Sequence, residues 1–99
     1  MNIIKKAEGS KLTIALEGRL DTTTAPQLEK EIQSGLKGVT ELVYDLKKLE
    51  YISSAGLRVL LASQKVMNDQ GEMIVENVCP DIMEIFDVTG FVDILTIRE

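Results

Sequence analysis

The stretch "LVYDLKKLEYISSAGLRVLL", Leu42 to Leu61, changes character in its middle. It opens with Leu42, Val43, Tyr44 and Leu46, a nearly continuous apolar run interrupted only by Asp45, as expected of a strand covered on both faces in a parallel sheet. From Leu57 the spacing becomes helical: Leu57, Leu60, Leu61, Val66 and Met67 give one broad apolar face, which Asn68-Asp69-Gln70-Gly71 ends. A strand running straight into a helix is the unit of an α/β layer. Ser53 and Ser54 fall at the junction, where the first backbone N–H groups of the helix lack partners and a serine hydroxyl caps them. Gly56, in the first turn, costs about 1 kcal/mol relative to alanine, which calls for a packing or access reason such as the close approach of another backbone. Lys47-Lys48 reads as a surface turn, and Asp45 as the end of the strand or a cap beneath the serines.

The same alternation extends in both directions. Upstream, Leu12, Ile14 and Leu16 follow a period of two, and Ile3 and Ile4 before Gly9-Ser10 supply a short hairpin partner. Thr24 with Gln27 fits a capping box, Pro26 a first helical turn, and Leu28, Ile32 and Leu36 the apolar stripe of a helix closed by Gly35 and Gly38. Downstream come a short strand from Met73 to Val75 and a helix opened by Pro80-Asp81 with Ile82, Ile85 and Phe86 on one side. A stop at Thr89-Gly90-Phe91 and a last strand around Ile94 to Ile97 complete the pattern. No internal repeat, linker or low-complexity tract interrupts it.

Composition narrows the function classes. The 99 residues suit a single domain, 1–99, and a hydrophobic content of 44% suffices for one modest core. A net charge of -5 repels phosphate backbones and anionic lipid, so neither nucleic acid nor a membrane is an expected partner. Nothing resembles a signal peptide or a membrane-spanning run, and we expect a cytoplasmic protein. With no histidine and one cysteine, Cys79, the chain lacks the ingredients of a zinc site or of a Ser-His or Cys-His pair. Cys79 before Pro80 reads as a small, half-buried apolar residue. Met67, Met73 and Met83 read as core filler. No cofactor, no metal and no enzymatic activity are expected.

Beyond these patterns, "YISSAGLRVLL", "GRLDTTTAPQLE", "LVYDLKKLEYI" and "VCPDIMEIFDVTGFVDIL" together resemble, in order and over nearly the whole chain, the STAS domains of anti-sigma factor antagonists. The resemblance implies a mixed sheet of about five strands, antiparallel at its N-terminal hairpin and mostly parallel afterwards, with helices mainly on one face. It also implies a function: the unphosphorylated form binds an anti-sigma factor that is a serine kinase and so releases a sigma factor. Phosphorylation dissolves the complex, and a PPM-type serine phosphatase resets it. By position the phosphorylated residue is Ser54, two before the glycine of a D-S-S-G-L-like motif, with Ser53 as the alternative. Ser53 stands where that family often has aspartate, and Ala55 replaces the motif's second serine. Partner-binding residues implied or suggested are Asp21, Thr22, Ser53, Ser54, Gly56 and Arg58. For Asp21 the competing reading is a turn or helix-start aspartate, and for Arg58 a solvated helix charge. The free protein is expected to be a monomer. The alternative function is a STAS scaffold subunit, never phosphorylated, of a larger signalling or lipid-transport complex.

Overall fold

The computed structural model describes residues 1–98. Strands β1 (Asn2–Glu8) and β2 (Lys11–Leu20) form an antiparallel hairpin that turns at Gly9, whose φ of +63° suits a residue without a side chain. The chain then alternates through helix α1 (Ala25–Gly35), strand β3 (Glu41–Ile52), helix α2 (Ser54–Gln70), strand β4 (Glu72–Glu76), helix α3 (Pro80–Thr89), a 3-10 turn (Phe91–Asp93) and strand β5 (Ile97–Arg98). The strand order is β1-β2-β3-β4-β5, and every pair after the hairpin is parallel. Each parallel crossover therefore advances one strand in the same direction. Right-handed connections of that kind put all three helices on one face of the sheet.

The register shows which residues face them. Leu12 lies opposite Leu42 and Ile14 opposite Tyr44, while Leu42 and Tyr44 lie opposite Met73 and Val75. These residues share one core with Leu28 and Ile32 of α1, Leu57, Leu60 and Met67 of α2, and Ile82 and Phe86 of α3. Tyr44 is fully buried and its phenol is satisfied: it lies 2.8 Å from the hydroxyl of Ser63, which donates to the carbonyl of Val59. Burial pushes the phenol's pKa up, and the Ser63 contact opposes the rise. Val43 points to the other face, between Thr13 and Ile74, and is buried by its neighbours on an open sheet surface. The apolar run of β3 is thus not sandwiched between two helix layers, as its sequence suggests.

Further expectations need correction. β3 does not end at Asp45 or turn at Lys47-Lys48; it continues to Ile52 through two irregularities. Ala15 faces Asp45 but Glu17 faces Lys48, and Gly18 faces Leu49 but Arg19 faces Tyr51, so each slip places one extra residue in β3. The buried positions on the helix side consequently change from every second residue (Leu42, Tyr44, Leu46) to every third (Leu49, Ile52). The Asp45 carboxylate accepts from the Lys47 N–H (3.0 Å) and the Asn77 side chain (2.9 Å), stabilising the first slip far from the serines. The last strand starts only at Ile97, because Phe91–Asp93 coils tightly and Ile94 remains exposed.

Candidate functional site

The parallel strands β2 and β3 end side by side, and the loops that follow them form one edge of the molecule. The Ser53 N–H donates to the Leu20 carbonyl at 2.9 Å, which joins the start of α2 to the end of β2. Ser53 is extended, with φ -98° and ψ 176°, and caps α2: its hydroxyl accepts a long 3.4 Å bond from the Gly56 N–H. Ser54 is the first helical residue and is exposed, whereas Ser53 is half-buried. The Ser54 hydroxyl makes no hydrogen bond to the described residues.

Gly56 explains how this junction is held so close to the sheet. A Cβ there would lie 2.7 Å from Cγ of Leu20 and 2.8 Å from Cγ1 of Ile52, both fully buried ends of strands. The close approach comes from two side chains, not from another backbone as the sequence suggests. Gly56 is itself buried, so it shapes the edge without offering a partner any surface.

Across the edge, Asp21 organises the loop before α1. Its Oδ1 accepts from the Thr23 hydroxyl at 2.7 Å, the Thr23 N–H at 3.0 Å and the Thr24 N–H at 3.2 Å. The Thr23 hydroxyl bond is the foremost of the contacts that hold the Asp21 carboxyl below its ordinary pKa of 3.8. The expected capping box does not form. The Thr24 hydroxyl makes no cap bond to α1; it donates to the Arg19 carbonyl and accepts from the Asp21 N–H, each at 2.8 Å. Pro26 stands in the first turn of α1 as expected.

Between the starts of α1 and α2 lies a cleft of about 270 Å³, lined by Thr22, Ala25, Pro26 and Glu29 on one side and Ala55, Arg58 and Val59 on the other. Thr22 and Arg58 therefore meet at one surface feature, with Ser54 beside it in sequence. Sequence reasoning missed Glu29 and also an exposed pair on the open sheet face. The Arg19 guanidinium lies over the Tyr51 ring, 4.3 Å from its centroid, and its Nε is 3.8 Å from an Asp21 carboxylate oxygen. Only the two slips in β3 together bring Tyr51 opposite Arg19, and no local pattern announces them. Among the described residues, no three metal-ligating side chains converge, and no helix is long and apolar enough to cross a membrane.

The STAS domain family model matches residues 2–99. The chain belongs to the STAS domain family. BtrV of Bordetella bronchiseptica, assigned as an anti-sigma factor antagonist, is 39% identical over 88 residues, covering 87% of this chain and 76% of the relative. Among solved structures, the anti-sigma factor antagonist SpoIIAA in its unphosphorylated form superposes with a TM-score of 0.78 at 18% identity, covering 99% of this chain and 88% of the other. Bacillus SpoIIAA in its phosphorylated form gives 0.77 at 19%, covering 99% and 92%. At that identity the likeness speaks for the STAS fold alone, a five-stranded mixed sheet with three helices.

Proposed function

We propose that this STAS domain is an anti-sigma factor antagonist. In this reading it docks an anti-sigma factor with serine kinase activity against the edge built from the Asp21–Thr24 loop and the first turn of α2. Phosphorylation of Ser54 dissolves the complex, and a PPM-type serine phosphatase restores the binding form. The domain itself performs no catalysis. Asp21, Thr22, Ser53, Ser54 and Arg58 belong to the docking edge, with Gly56 holding it in shape from below.

The observation that carries this reading is the exposed hydroxyl of Ser54, unbonded among the described residues, on a junction tied to the core. Ser53 is the poorer acceptor of a phosphate, since its hydroxyl is turned to the Gly56 N–H and its own N–H is tied to Leu20. Phosphorylation adds about -1.5 to -2 charges and a bulky group, which a docked partner without matching cations must desolvate at a cost. The start of a helix tolerates that charge well, so the domain keeps its fold and the penalty falls on the complex. A penalty of about 3 to 4 kcal/mol weakens binding by two to three orders of magnitude.

The test is incubation with an anti-sigma factor serine kinase from the same organism and ATP, followed by mass spectrometry and pull-down. We expect one phosphate on Ser54, a Ser54→Ala form that stays bound in the presence of ATP, and a Ser54→Asp form that binds weakly. An unmodified serine pair, with all three forms bound equally, would instead favour a scaffold subunit that never exchanges phosphate.

A further inference from the structure

Arg58 stands four residues after Ser54 on α2, on the same face of the helix. Side chains on a helix lean toward its N-terminus, so position 54 lies within reach of the Arg58 side chain. Both residues are exposed. The chain has three arginines, and two are already engaged: Arg19 by Asp21 and the Tyr51 ring, Arg98 by Glu76. Arg58 has no ion-pair or hydrogen-bond partner among the described residues. The carboxylate that shares its cleft, Glu29 of α1, is not paired with it. Ser53, five residues back and turned inward as the cap, lies off this stripe.

We infer that Arg58 is the intramolecular receiver of the phosphate on Ser54. The guanidinium is unpaired among the described residues, and Arg58 lines the cleft that a partner approaches. On phosphorylation it turns to the phosphate, with two N–H groups donating to two phosphoryl oxygens, an arrangement that suits the planar fork of arginine better than the point charge of lysine. The modification then acts twice, adding negative charge at the docking edge and withdrawing the cation beside it. This inference rests on the reading of Ser54 as the modified residue.

The test avoids the kinase. Phosphoserine is placed at position 54 during translation, in the native chain and in Arg58→Gln and Arg58→Lys variants, and the phosphate is titrated by phosphorus NMR. The second ionisation of a phosphoserine lies near pH 6. We expect it about 0.3 to 0.5 pH units lower in the native chain than in Arg58→Gln, with Arg58→Lys between them. The Arg58 side-chain N–H signal is expected to shift on phosphorylation, and phosphoserine at position 53 to titrate alike with and without Arg58. Matching amide spectra of the variants establish that the fold is retained. Coincident titration curves for native and Arg58→Gln chains overturn the pairing. They leave the question of whether a kinase modifies Ser54 to the mass-spectrometric assay, so the two ideas fail separately.

Discussion

Gly56 sits in the first turn of α2 with no room for a methyl group, because Leu20 and Ile52 fill the space a Cβ would take. Both neighbours are fully buried, and the atoms nearest the added methyl, Cγ of Leu20 and Cγ1 of Ile52, lie within the side chains rather than at their ends, so neither yields as a flexible tip would. A Gly56→Ala change gains about 1 kcal/mol in helix propensity and, with two atoms closer than 3.0 Å to the added methyl, loses about 2 to 3 kcal/mol to overpacking. We expect a net loss of about 1 to 2 kcal/mol in urea unfolding, with displaced amide signals at Ser53 and Ser54. An unfolding midpoint equal to or above that of the native chain would contradict this packing account. The sequence marks Gly56 as costly but gives no hint of its neighbours, since Leu20 lies far upstream and the contact exists only once two strands end together.

At the level of elements, α1 starts from a loop that Asp21 organises, and its carboxyl is held below its ordinary pKa of 3.8 chiefly by the Thr23 hydroxyl. A group whose pKa is depressed on folding binds fewer protons folded than unfolded. Its stabilisation is complete above pH 3.8 and is lost as pH falls through the lower folded value. Asp21→Asn is therefore expected to lower the melting temperature in the neutral region, where the carboxylate contributes, and to flatten the acid limb so that the mutant and native curves converge at low pH. A mutant whose acid limb matches that of the native chain would argue against it. The elements also show where sequence patterns succeed. β2 alternates strictly from Leu12 to Leu16, because one face meets the helices and the other is open, and the period is plain. β3 hides its second half, because two extra residues break the period after Leu46 and make Lys47-Lys48 look like a turn. Thr24 has the spacing of a capping box, yet its hydroxyl is claimed by Arg19 and Asp21, a competition that spacing does not record. Within the site, the serine junction is legible from the switch in period, whereas the cleft with Glu29 and the Arg19–Tyr51 pair require the tertiary fold.

Across the whole molecule, the end opposite the serines is closed by backbone ties. Thr40 donates to the Ser10 carbonyl and accepts from the Glu72 N–H, and the Gln70 side chain donates to the carbonyls of Leu36 and Val39. A Cβ on Gly71 would lie 1.9 Å from the Thr40 carbonyl oxygen. Gly71→Ala must push these segments apart and is expected to cost about 3 kcal/mol or more in chemical denaturation. If Ser54 is phosphorylated as proposed, the remaining folded fraction should accept phosphate at the native rate; a small stability change would show that this end is more yielding than its contacts imply. At the other end, α2 cannot sink toward the sheet, since Leu20 and Ile52 leave no space beneath its first turn, and the Ser53 N–H bond to the Leu20 carbonyl opposes its withdrawal. Under the proposed switch, information written there would be stored as surface chemistry rather than as shape. A kinase, a phosphatase and a docking partner would all read the same rigid page, and only the ink would differ.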